Sequence, residues 1–184
     1  MPAIHLYVCR DFSEKTAGES HRLLQKAATA YCTGIGRSLP DLTLECTEGG
    51  KPFFLHAPDL LFSISHSGGI WICAFSAAPV GIDLQQIKPL RADGIAHRFF
   101  HPDEIAYLDA HPDKFFALWT AKESYVKLTG QGVAAGFSRV SVISRREFSP
   151  PPPARAMVHI PFDEGYALCL CGDTAEFCLQ ELTP

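Results

Sequence analysis

The chain reads as an α+β protein, and three observations predict it. Two segments of helical period, Glu19–Thr33 and Phe115–Thr129, are each closed by a glycine. Short β-prone runs, the clearest being LFSISHSGGIWICAFS, surround them and break at turn residues. The order strand, helix ending in Thr-Gly, then two strands occurs twice, with Thr33-Gly34 and Thr129-Gly130 in equivalent places. The expected architecture is a pseudo-twofold pair of halves, 1–78 and 79–184, forming one domain. Each half is expected to pack a helix on a small antiparallel sheet, with a ligand cleft between them.

Taken in order, Ile4–Cys9 (IHLYVC) is strand-like. In Glu19–Thr33, Leu23, Leu24, Ala27, Ala28 and Tyr31 recur at helical spacing and supply a buried side. Residues 39–62 are loop-rich; within them Gly49, Gly50 and Pro52 bracket Lys51 in a shaped turn that exposes its ammonium. Leu61–Ser76 is a hairpin about Ser67-Gly68-Gly69. In Val80–Ile87, Gly81 permits close backbone approach, and alternation puts Asp83 and Gln85 on one face. A basic connector and a short helix signal, HPDEIAYLDAH, precede the helix at Phe115. Beyond Gly130, SRVSVISRRE and GYALCLCG are strand-like, separated by the proline run 150–153, a stiff connector or a recognition motif. EFCLQEL supplies a last strand.

Composition narrows the function classes. Hydrophobic content of 47% with 20% charged residues is that of a globular protein with a full core. A net charge of −4 speaks against a nucleic-acid binder. No apolar run reaches membrane-spanning length, and the N-terminus lacks the pattern of a signal peptide, so a cytoplasmic protein is expected; the duplicated halves form their own cleft, so a monomer is expected. Seven cysteines without that signal read as free thiols, with Cys169 and Cys171 in the core. Residues 88–101 are locally basic, with Lys88, Arg91 and Arg98; this is a solvated face or a docking patch for an acidic partner.

The Phe115 helix carries the chemistry. One row, Leu118, Ala121, Tyr125 and Leu128, has the spacing of a buried face; its neighbour, Phe116, Trp119, Glu123 and Val126, sets a carboxylate among large apolar groups. Two readings of Glu123 and Lys127 stand: an i, i+4 surface pair, or a carboxylate held at a dry wall for a metal or a proton, with an ammonium for phosphate. Asp83 likewise marks a sheet edge or a ligand site, and His66 alone reads as a polar loop residue or a ligand.

GGKP and ISHS, then VGIDLQ, then FFALWTAKESYVKLTG stand in one order, and together they resemble the Sfp-type 4′-phosphopantetheinyl transferases. The resemblance runs from about Arg22 to Cys171 and is dense from Lys51 to Gly130. It implies transfer of the phosphopantetheine arm of coenzyme A to a serine of an apo acyl or peptidyl carrier protein, leaving adenosine 3′,5′-bisphosphate. It also implies Mg2+ held by Asp83 and Glu123, with Gln85 beside them, and Glu123 as the base. Lys127 then offsets phosphate charge. Arg22, Lys51, Pro52, Ser65 and His66 match positions that hold coenzyme A, so residues 1–78 are its nucleotide side and 79–184 carry the metal and catalytic motifs. Residues 88–108 match the carrier-docking region.

Two departures accompany the resemblance. Many members have Glu where this chain has Gln85, which removes a charge from the metal site. The basic N-terminal arm of longer members is shortened here, leaving Lys15 or His21 to substitute. The alternative expectation is a non-catalytic relative that binds carrier protein or coenzyme A.

Overall fold

A computed structural model describes residues 3–183 apart from 14, 16, 17, 90, 91 and 133–136. Arg91 of the expected docking patch therefore lies outside the described residues. Two sheets pack face to face, and each has a helix on its outer side. The larger sheet has the order β11-β1-β5-β4, formed by Phe177–Glu181, Ile4–Cys9, Ile70–Ser76 and Leu61–Ser67. The smaller has the order β6-β10-β9, formed by Gly81–Gln86, Tyr166–Gly172 and Ala156–His159. Helix α1 (Glu19–Gly34) covers the first and α4 (Phe115–Thr129) the second.

This layering explains why the central strands are apolar on both faces. From β1 and β5, Ile4, Leu6, Val8, Ile70 and Ile72 meet Val80, Ile82, Leu84, Leu168 and Leu170 of the other sheet. The alternate residues Tyr7, Trp71, Cys73 and Phe75 face α1, against Leu23, Leu24, Ala27, Ala28 and Tyr31. On the far side of the second sheet, Cys169 and Cys171 pack with Leu118, Ala121, Tyr125 and Leu128 of α4. Both cysteines are buried core thiols, as expected, and every described cysteine is free.

Gly81 is where α4 comes closest to its sheet. A Cβ there would lie 1.8 Å from the Ser124 carbonyl oxygen, so only glycine permits this approach. The helix ends at Gly130, whose φ of 71° is the left-handed cap that its sequence predicts. The β4–β5 turn is Gly68-Gly69, with φ of 58° and 88°, as a two-residue hairpin requires.

Several expectations are corrected. The halves do not carry purely antiparallel sheets: β11 runs parallel to β1, with Ile4 opposite Phe177. The last strand thus joins the first sheet at the edge of β1 that β5 leaves free. The loop-rich stretch 39–62 contains a small hairpin, β2 (Leu44–Cys46) with β3 (Pro52–Phe54). Within the basic connector lies a helix, α2 (Ala92–Phe99), followed by α3 (Pro102–Ala110). SRVSVISRRE yields only β7 (Ile143–Ser144) and β8 (Glu147–Phe148). β9 was not anticipated, because ARAMVHI has no alternation to mark it.

Candidate active site

Strand β6 is an edge strand. Its inward-facing residues pair with β10, which leaves the N–H groups of Ile82, Leu84 and Gln86 directed toward β4 of the other sheet. Three alternate serines meet them. Ser63 Oγ accepts from Ile82 N at 3.1 Å, Ser65 Oγ from Leu84 N at 3.1 Å, and Ser67 Oγ from Gln86 N at 3.0 Å. Hydroxyls thus join the two sheets where backbone pairing is absent, and they satisfy donors that burial would otherwise leave unpaired. Tyr166 extends the seam by donating from its Oη to the Gly68 carbonyl at 2.6 Å.

The middle serine also joins two charged groups. Ser65 Oγ donates to Asp83 Oδ1 at 2.8 Å, and Lys127 Nζ donates to the same Asp83 oxygen at 2.6 Å and to Ser65 Oγ at 3.0 Å. Asp83 is 5% exposed, and its Oδ2 is buried with no hydrogen-bond partner among the described residues. Alternation along β6 puts this carboxylate on the face toward α4, one turn of which supplies both Glu123 and Lys127. The surface-pair reading of those two residues is corrected: Lys127 reaches across to Asp83, not back to Glu123.

Burial raises the Glu123 carboxyl to about 7, the charge of Asp83 adds to the rise, and Lys127 opposes it. Burial likewise pushes Asp83 upward against the pull of Lys127 and of the hydrogen bonds from Ser65. Two carboxylates therefore share a dry wall with one ammonium. Such a site has an unmet demand for positive charge.

A cavity of about 270 Å³ opens beside them, lined by Gly49, Lys51, Pro52, Ser63, Glu123 and Lys127 among others. Lys51 does not point its ammonium into solvent, as the turn had suggested. Its Nζ is turned inward, donating to the carbonyls of Val80 at 3.3 Å and Leu128 at 3.2 Å, and burial pulls its pKa down to about 8. The loop is pressed there by Gly49, where a Cβ would lie 2.0 Å from the Gly130 oxygen. Lys51 thereby meets the carbonyl end of α4, a favourable place for a cation.

The remaining expected residues are less central. Arg22 is exposed on α1, and His66 is exposed at the end of β4 with its ring 5.0 Å from that of Phe12; neither lines the cavity. Gln85 donates from Nε2 to the Gln86 carbonyl at 3.4 Å and borders a smaller pocket with Phe115, Phe116 and Trp119. Lys122, next to Glu123 in sequence, faces the opposite way. It is 2% exposed and is bound to Glu104 of α3 at 2.7 Å, so it is not an ammonium for phosphate.

The sequence reading missed three contributors. The Ser63 and Ser67 rungs were visible only as the alternation S-I-S-H-S, a pattern of three hydroxyls on one face of a strand. Glu104, inside the helix signal HPDEIAYLDAH, carries no local mark of a buried ion pair. Its carboxylate, paired with Lys122, also accepts from Val142 N at 2.8 Å and from His101 N at 3.0 Å, fixing α3 and the chain after α4 to α4 itself. Gly49 carried no signal beyond its place in a Gly-Gly pair.

Comparison with known proteins now bears on this geometry. Residues 79–171, from β6 through most of β10, match the model of the 4′-phosphopantetheinyl transferase superfamily. The chain is 33% identical over 190 residues to a 4′-phosphopantetheinyl transferase of Bacillus subtilis, covering 92% of this chain and 81% of the relative. The chain belongs to the 4′-phosphopantetheinyl transferase superfamily. It is also similar to the 4′-phosphopantetheinyl transferase Sfp of Bacillus subtilis strain 168, at 34% identity over 148 residues, 74% of this chain and 66% of that one. The transferase psf-1 of Bacillus pumilus matches at 45% over 98 residues, 50% of this chain and 42% of the relative. The superfamily match covers Asp83, Glu123 and Lys127 and leaves the β4 serines outside.

Proposed function

We propose that this superfamily member transfers 4′-phosphopantetheine from coenzyme A to a serine hydroxyl of an apo acyl or peptidyl carrier protein. The observation that carries the reading is Asp83, bonded by Ser65 and Lys127 at one oxygen and unpartnered at the other, within reach of the helix bearing Glu123. A buried carboxylate oxygen without a partner, beside a second acid of raised pKa, fits a hard divalent cation. Asp83 and Glu123 would hold it, with the amide oxygen of Gln85 as a neutral third donor and Mg2+ as the expected ion. When bound, such an ion neutralises phosphate oxygens and orients them for displacement.

The protein's own groups then divide the remaining work. Glu123, with a pKa of about 7, is poised to take the proton of the attacking serine near neutral pH. The serine oxygen forms a bond to the phosphorus bearing pantetheine; the bond to the nucleotide phosphate breaks, and adenosine 3′,5′-bisphosphate leaves with the electron pair. Lys127 supplies positive charge to the transferring phosphate. Lys51 and Pro52 line the cavity on the nucleotide side, with Arg22, Ser65 and His66 contributing to the hold on coenzyme A. The carrier docks along residues 88–108, where Lys88 and Arg98 suit an acidic partner.

Free cysteines support a reducing, cytoplasmic setting, and a site drawn from one chain supports action as a monomer. Among the described residues, no helix is long and apolar enough to cross a membrane. The division into 1–78 and 79–184 belongs to the same proposal, as the two sides of the cleft.

The decisive experiment mixes the protein with coenzyme A, Mg2+ and a panel of apo carriers, followed by intact-mass spectrometry. A gain of one phosphopantetheine on a carrier serine is expected. Absence of any gain across the panel would overturn the transferase reading, and carrier binding without gain would establish the non-catalytic alternative.

A further inference from the structure

We propose that the groove between α3 and the β7–β8 hairpin receives an acidic segment of the protein substrate; this rests on the transferase reading above. The groove encloses about 560 Å³, with Asp103, Tyr107 and His111 of α3 on one wall and Ile143, Arg145 and Arg146 on the other. It shares α3 with the proposed docking span but extends it to a part of the chain beyond α4.

The hairpin turn is the informative feature. Ser144 pairs with Glu147, so Arg145 and Arg146 are the two central residues of the turn. Their φ angles are 52° and 66°, both left-handed. Such turns are usually made by Asn-Gly, because a Cβ is disfavoured at both positions. Two arginines therefore hold a conformation that suits neither, and backbone strain of this kind concentrates where function needs particular side chains.

Both arginines are exposed, and among the described residues neither guanidinium has a hydrogen-bond or ion-pair partner. Asp103, on the opposite wall, lies 3.4 Å from the His101 imidazole. Each guanidinium thus keeps a planar fork of donors matched to a carboxylate. The two forks stand on adjacent residues and line one groove with Tyr107 and His111 of α3. That arrangement fits carboxylates spaced along a protein segment better than one compact anion. The opposite face of α3 is locked to the reaction helix through Glu104 and Lys122, so an occupant of the groove rests on elements rigidly tied to Glu123.

The test uses the full chain and a fluorescently labelled apo acyl carrier protein. One variant, Arg145→Asn with Arg146→Gly, keeps the turn geometry and removes both charges; a second, Arg145→Lys with Arg146→Lys, keeps charge and removes the forks. Anisotropy titrations without coenzyme A should show the Asn-Gly variant binding the carrier roughly tenfold more weakly at low salt, with the Lys variant between it and the unaltered protein. The Asn-Gly variant should melt no lower than the unaltered protein, and its KM for coenzyme A should not move. Equal carrier affinity in all three proteins, or no carrier binding by the unaltered chain, would overturn the groove. Carrier binding that depends on the arginines without any transfer would sink the transferase reading and leave the groove standing.

Discussion

Lys127 Nζ lies 2.6 Å from Asp83 Oδ1, so the helix donates its cation to the strand's buried carboxylate. The contact crosses from α4 to β6 and holds the helix in register with the serine seam. Substituting Lys127→Met should therefore act twice. It should leave a buried charge without a partner, costing about 1–3 kcal/mol in thermal unfolding. It should also lower kcat by about 10²–10³-fold by removing charge stabilisation. A variant in which Asp83→Asn accompanies Lys127→Met should regain most of the stability and none of the transfer. Stability that stays low in the double variant would separate the pair from this account.

The raised pKa of Glu123 gives a pH dependence with a definite sign. Its ordinary value is 4.5 and its folded value is about 7, so between them the folded chain holds a proton that the unfolded chain has released. Stability from this group is thus lost as pH rises through that window. In EDTA, Glu123→Gln should melt a few degrees above the unaltered protein at pH 8 and equally at pH 4, as differential melting would read; each kcal/mol is about 2–4 °C here.

Lys51 titrates in the opposite sense. With a pKa near 8, it loses its charge as pH rises above that value, and the cavity it lines loses attraction for an anion. Coenzyme A affinity, measured by calorimetry, should weaken between pH 7.5 and about 9. Lys51→Arg should bind with no such alkaline loss, since arginine stays charged.

The Lys122–Glu104 pair is fully desolvated, which makes single substitutions severe. Burial pulls the Lys122 ammonium downward, and Glu104 opposes that pull. Lys122→Met or Glu104→Gln alone should cost about 3–5 kcal/mol, whereas Lys122→Met with Glu104→Leu should recover much of it. Chemical denaturation of the three variants decides; a double loss equal to the sum of the two single losses would mean that the two side chains are not coupled.

Gly81→Ala should disrupt the site without touching any reacting group. Its Cβ would sit 1.8 Å from Ser124 O and 2.6 Å from Leu128 N, so α4 must lift off β6. A loss of about 1–3 kcal/mol and a fall in transfer are expected, since Glu123 and Lys127 ride on that helix. Unchanged melting in this variant would contradict the close approach.

The helices and the hydrophobic strands were legible because their periods are local. The 3.6-residue spacing from Leu118 to Leu128 and the glycine stop at Gly130 are written within one segment. So was the close approach at Gly81, because a lone glycine in an apolar strand has few other uses. What escaped were relationships across long separations. Lys51 turned inward because Gly49 lets its loop meet the end of α4, which no reading of GGKP alone reveals. The Arg145–Arg146 turn contradicts turn propensity outright, so the segment read as a continuous strand. Glu104 and Lys122 neutralise one another in the core, and each by itself resembles a surface charge.

The parallel pairing of β1 with β11 also carries a consequence for synthesis of the chain. Residues 4–8 find their outer neighbours only in residues 177–181. As the polypeptide leaves the ribosome, β5 can cover one edge of β1 early, whereas the other edge stays bare until residues 177–181 have emerged. The sheet that holds Ser65 thus closes more than a hundred residues after it begins. Throughout elongation, that bare edge offers unpaired backbone to chaperones or to neighbouring nascent chains.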